Sequence, residues 1–117
     1  RCRCGVPQAN YFGYALNYNG YNLKLAHDWT RAFGRTTAQA GAVVFQWRRG
    51  GGHVSRIVSM QSACEAVVSD DAGQYTRNIC GRGAIYLDAG SPNAGSSKRR
   101  AAAAAIPNIT ESSLISR

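Results

Sequence analysis

No run of apolar residues approaches the roughly 18 that a membrane-crossing helix needs. The longest candidate, Ala101 to Ile106, is a short alanine tract. Acidic residues are scarce, six against fourteen basic ones, which leaves a formal net charge of +8. Lysine is scarcer still: Lys24 and Lys98 stand beside twelve arginines. Such a balance speeds encounters with nucleic acid, an anionic lipid surface or an acidic cell-wall polymer, without choosing among them. The arginine bias favours bidentate contacts to carboxylate or phosphate. No secretory leader is legible, because Arg1-Cys2-Arg3-Cys4 has no apolar segment behind it. Both a mature form that has lost its leader and a cytosolic protein fit that reading. No internal repeat is visible. With 117 residues and 44% hydrophobic residues, the chain can bury one core and make one domain.

Cysteine is present only at positions 2, 4, 64 and 80. Cys2-Arg3-Cys4 is too tight for the usual zinc-knuckle gap, and Cys64 and Cys80 are too far apart to supply a second knuckle. The spacing therefore argues against a structural metal site. Four cysteines in a small chain suggest an oxidising compartment. Cys64 and Cys80 flank a strand pair and could be bridged. Cys4 could instead be half of a disulfide with either of them.

Two β-branched runs around a glycine-rich loop organise the middle of the chain. Residues 41–47 are nearly all apolar, as expected of a strand buried on both faces. After Arg48-Arg49-Gly50-Gly51-Gly52, residues 53–60 alternate and so read as a partly solvated strand. Upstream, Pro7 fits the first turn of a helix beginning near Gly5. Ala9, Phe12, Ala15 and Leu16 continue its apolar face. Residues 17–22, Asn-Tyr-Asn-Gly-Tyr-Asn, are turn chemistry. A second helix fits residues 23–33, with Gly34 as its stop. Downstream, residues 65–69, 74–79 and 83–87 read as further strands, and Asp70-Asp71-Ala72-Gly73 as a turn. Helices first and an antiparallel sheet afterwards make an α+β fold. The domain is expected over 1–89. Residues 90–117, polar, basic and alanine-rich, read as a tail that a protein partner in a larger assembly would order.

A thiol attacks only as thiolate, which a helix N-terminus and a neighbouring imidazole both stabilise. A third polar group then fixes the imidazole's tautomer. Cys4 lies just before the first helix, among Arg1 and Arg3. His53 opens the second strand of the hairpin, beside glycines that leave room for another group. Asp70 and Asp71 end the next strand, so either carboxylate could reach the outer nitrogen of His53. Backbone N–H groups of the first helix, with the Cys4 amide, are the candidate oxyanion donors.

The order Cys4-Gly5, Asn22-Leu-Lys-Leu-Ala-His-Asp-Trp29, Ala40-Gly-Ala-Val-Val-Phe45 and Gly52-His53-Val54 resembles the CHAP and NlpC-type cysteine peptidases and amidases. It is especially similar to small bacterial and phage members. The resemblance covers residues 1–88 and is strongest over 40–58. It implies a papain-like α+β core that cleaves amide bonds in peptidoglycan and needs no cofactor. Carried over by position, Cys4 matches the nucleophile, His53 the base, and Asp71, ahead of Asp70, the polar residue that orients it. Arg48, Arg49, Gly52 and Trp47 border the implied cleft and are the candidates for substrate contact. Such enzymes imply an extracellular, periplasmic or virion-associated setting, with peptidoglycan or another anionic polymer as partner.

The chain departs from that pattern at Val6-Pro7, where an aromatic residue often follows the Cys-Gly pair, and at Gln39-Ala40-Gly41, where an acidic lead is usual. Cys2 is also close enough to compete with Cys4 or to trap it in oxidised form. Plainer readings stand beside the catalytic one: an inactive CHAP-like binding module with bridged cysteines, Arg48-Arg49 as a solvated loop, and His27 facing solvent. Trp29 and Trp47 then become core residues. A nucleic-acid binder ranks last, because no recognised nucleic-acid signature accompanies the charge. Asn108-Ile-Thr110 fits a glycosylation acceptor, a pattern that arises often by chance.

Overall fold

Pro7 sits in the first turn of α1 (Gly5–Phe12), where a missing N–H leaves no intrahelical bond unmade. The helix ends at Gly13, which takes the left-handed conformation at φ 80°, while the Tyr14 N–H bonds back to the Ala9 carbonyl at 2.9 Å. The stripe through Ala15 and Leu16 predicts a longer helix; the glycine cap stops it first. Residues 3–90 are described in this computed structural model; Cys2 and all of the expected 90–117 tail except Gly90 lie outside them.

The tyrosine-rich turn is a small hairpin, β1 (Asn17–Tyr18) and β2 (Tyr21–Asn22). Asn19 and Gly20 both take positive φ, 51° and 86°, as a two-residue turn of this hand requires. The second helix, α2 (Ala26–Ala32), is shorter than its apolar stripe suggests. Residues 23–25 form an approach turn in which the Asn22 N–H donates to Asp28 Oδ2 at 2.7 Å. The helix leaves through an extended Phe33 at φ −125°, so Gly34 is not its left-handed cap.

A five-stranded antiparallel sheet follows, in the order β6-β5-β4-β3-β7. Its strands are β3 (Val43–Arg48), β4 (Gly51–Met60), β5 (Glu65–Asp70), β6 (Gly73–Asn78) and β7 (Ile85–Leu87). The fold is therefore α+β, as its periodicities predict. The loop between β3 and β4 is tighter than the glycine run suggests: Arg48 pairs with Gly51, leaving Arg49 and Gly50 at the turn.

Successive residues of β3 feed two cores, which is why its sequence is uniformly apolar. Val43 and Phe45 join Leu23, Trp29, Phe33 and Val54 beneath the helices. Val44 joins Ile57, Ala66, Val68 and Ile79 in the other cluster. Cys64 and Cys80 are bridged, with Cα atoms 5.2 Å apart, tying the β4–β5 connection to the end of β6. Among the described residues, no helix is long and apolar enough to cross a membrane.

Candidate active site

Close packing fixes the position of Cys4. A Cβ on Gly5 would collide with the Leu23 carbonyl and the Trp29 indole, so only glycine lets the start of α1 press against the approach to α2. The Gly5 N–H donates to the Lys24 carbonyl at 3.2 Å, and the Trp29 indole N–H to that of Leu23 at 2.9 Å. Cys4 stands as the N-cap residue of α1 and is fully buried. His53, 2% exposed, lies opposite Gln46 in the β3–β4 register.

Asp70 is the last residue of β5, whose burial alternates through Ala66, Val68 and Asp70. The same period that buries those two apolar side chains turns Asp70 inward and leaves Asp71 exposed in the turn. Resemblance favours Asp71 as the partner of His53; the hydrogen bond goes to Asp70 instead.

The three side chains meet in a chain of contacts. Cys4 Sγ lies 3.0 Å from His53 Nδ1, and His53 Nε2 lies 2.7 Å from Asp70 Oδ2. A carboxylate accepts, so Nε2 carries the proton and Nδ1 presents its lone pair to the sulfur. Asp70 is held in turn: the Tyr75 hydroxyl donates to Oδ2 at 2.7 Å and the Ala72 N–H to Oδ1 at 2.8 Å. Behind it, Arg77 donates to the Tyr75 hydroxyl at 3.4 Å and to Gln46 Oε1 at 2.9 Å.

Burial would raise the Asp70 carboxyl, but the hydrogen bonds from Tyr75, His53 and Ala72 together hold it below the ordinary carboxylate value. Burial pushes His53 below the ordinary imidazole value; the Asp70 contact opposes this, and Arg48 and Arg77 add to the lowering. Burial, and then the bond to Asp70, raise the Tyr75 phenol, which keeps its proton for that bond. Tyr75, Arg77 and Gln46 escape sequence inspection. The only signal is the two-residue period of β6, which puts Tyr75 and Arg77 on one face, and the hairpin that returns that face to Asp70.

Cys4 is disulfide-bonded. Its partner is neither Cys64 nor Cys80, which are bonded to each other, so the pairing with either of them is corrected. Among the described residues no cysteine is free. Arg48 Nη2 donates to Cys4 Sγ at 3.4 Å, bringing a guanidinium against the sulfur although the side chain is otherwise exposed. The first turn of α1 is poorer in free donors than its sequence suggests. The Gly5 and Val6 N–H groups are taken by the Lys24 and Arg3 carbonyls, and Pro7 has none.

The expected substrate residues divide. Gly52 and Trp47 line an open cleft of about 390 Å³ with Leu25, His27, Arg31 and Gly50. Trp47 is 48% exposed, so only Trp29 of the two is a core residue. His27 is exposed as expected, but its ring rests 5.4 Å from that of Trp47. Arg48 reaches the sulfur rather than the cleft, and Arg49 is exposed at the turn. His53, Asp70 and Asp71 bring three donor atoms within 4.8 Å of one another, a spacing that could accommodate a cation. Coordination would have to break the hydrogen bond between Nε2 and Oδ2. No family model, curated protein or solved structure matches this chain.

Proposed function

We propose that the chain is a cysteine-dependent amide hydrolase of the CHAP or NlpC type, with a papain-like core, acting on peptidoglycan once Cys4 is reduced. The observation that supports it is the approach of Cys4 Sγ to within 3.0 Å of His53 Nδ1, with Nε2 anchored on Asp70. In the reduced site the thiol proton passes to Nδ1, and the thiolate attacks the amide carbonyl. The imidazolium returns that proton to the leaving amine. Water, deprotonated by the same nitrogen, then releases the acyl group and restores the thiol. Asp70 keeps the ring in the tautomer that makes each transfer possible. The net charge of +8 favours contact with an acidic wall polymer, and the two disulfides suit an extracellular or periplasmic setting.

A second reading keeps the fold and drops the chemistry: a CHAP-like binding module whose cysteines are permanently bridged. The disulfide at Cys4 favours it. Release of amino groups from purified peptidoglycan, followed before and after mild reduction, separates the two. The hydrolase reading expects activity only after reduction, and a loss of roughly a hundredfold or more in His53→Ala. A reduced, folded protein that releases nothing leaves the binding module.

A further inference from the structure

We infer that Arg77 and Gln46 are positioning residues: acting through the Tyr75 phenol, they dictate how Asp70, and with it the His53 ring, is held. The consequence for rate rests on the hydrolase reading; the positioning itself does not. Four neighbouring strands of the sheet each supply part of the group. Gln46 comes from β3, His53 from β4, Asp70 from β5, and Tyr75 and Arg77 from β6. His53 lies directly opposite Gln46 in the ladder, so both ends of the chain of contacts fall on one face.

A guanidinium donates and never accepts. Arg77 Nη1 lies 3.4 Å from the Tyr75 hydroxyl oxygen, which must therefore accept there. The single proton of the phenol is left for Asp70 Oδ2 at 2.7 Å. The same oxygen takes the Nε2 proton of His53, also at 2.7 Å. Proton direction is thereby set from the guanidinium to the ring, and Nδ1 keeps its lone pair. Gln46 holds the guanidinium in turn. Its Oε1 accepts from Arg77 Nε at 2.9 Å, and its Nε2 donates to the Asn78 carbonyl at 3.1 Å. A carbonyl only accepts, so the amide cannot turn over without losing both contacts. Gln46 is 1% exposed, and a buried partner left unsatisfied is costly. Asn78 is itself fixed: its Oδ1 accepts the Cys80 N–H at 2.9 Å, and Cys80 is bridged to Cys64. The far end of the chain of contacts is thus the loop that this disulfide closes.

The test titrates the full-length oxidised protein, following the Asp70 carboxyl by carbon-detected NMR and His53 by its ring protons. The other groups facing these two are Tyr75 and Arg77 of β6, Arg48 of β3, Cys4 at the start of α1 and Asp71 in the turn. Arg77→Lys keeps the charge but cannot make the two-point contact. The Asp70 carboxyl should then titrate higher, by up to about one pH unit, because its phenol donor is no longer aligned. Gln46→Leu should produce the same rise while leaving every charged group in place. Arg77→Gln should raise Asp70 and His53 together, since a cation that disfavours the imidazolium is gone. A parent value for Asp70 in either Arg77→Lys or a folded Gln46→Leu overturns the inference, because a merely structural role lowers Tm alone. Should the buried change at Gln46 prevent folding, Arg77→Lys, at a half-buried side chain, decides. A rise in Arg77→Gln that is absent from Arg77→Lys assigns the effect to charge and overturns it too. No amide substrate is present, so a protein that shows these shifts but does not hydrolyse retains this inference and loses the hydrolase.

Discussion

His53 prefers a different charge in each redox state of its neighbour. With Cys4 oxidised, no thiolate faces Nδ1, and burial holds the ring below its ordinary value. With Cys4 reduced, a thiolate at that distance favours the imidazolium. Histidine proton resonances followed through a pH titration should place His53 below about 6.5 in the oxidised protein and higher after reduction. An unchanged value would mean that sulfur and ring do not communicate. With Cys4 oxidised, His53 and Asp70 also both make the fold acid-sensitive. Each has a folded value below its unfolded one, so each contributes stability that is present above the unfolded value and lost as pH falls. Loss should begin near pH 6.5 for His53 and resume near pH 4 for Asp70, seen as a falling Tm. Tyr75→Phe removes one donor to Asp70, so the Asp70 carboxyl should titrate higher, which carbon-detected NMR can read. Strand position and neighbouring glycines mark His53 in the sequence. The choice between Asp70 and Asp71 is not legible, because it depends on which residue ends β5 facing inward, one position either way.

Strands are more legible than helix ends. The uniform apolar run of β3 and the alternation of β4 and β5 report burial directly, since the period of two is set by the backbone. Helix ends answer to contacts that the apolar stripe does not contain, such as the left-handed turn at Gly13 and the Asp28 bond to Asn22. The three-part chain behind Asp70 is invisible for the same reason: Gln46, Tyr75 and Arg77 come from two strands that are not neighbours in the sheet. At this scale the sensitive joint is where α1 meets the approach to α2. Gly5→Ala places a methyl against the Leu23 carbonyl and the Trp29 ring. A cost of about 1–3 kcal/mol is expected, measured by urea unfolding, because backbone must shift to relieve it. The same shift displaces Cys4, so Gly5→Ala should also slow alkylation of the reduced thiol. Gly20→Ala, at a hairpin tip where the glycine holds a positive φ, should strain the turn but leave Cys4 unaffected.

For the whole molecule, both cores lie within residues 3–90. Ala89 is buried there and its carbonyl accepts the Tyr14 hydroxyl, with Gly90 packed close to Phe12. A chain ending at residue 90 should keep its circular-dichroism spectrum and lose little thermal stability. A chain ending at residue 86 removes Leu87 and Ala89 from the helix-side core and should lose several degrees of Tm. Unfolding of the 1–90 fragment would assign the later residues to the domain.

The three residues of the site are far apart along the chain: His53 follows Cys4 by 49 positions and Asp70 follows His53 by 17. A ribosome therefore makes the sulfur long before it makes the groups that would activate it. Until β5 has emerged and paired, the nascent chain carries an ordinary thiol beside an untethered ring. Whatever reactivity the finished centre has is withheld from the cell for the length of its own translation.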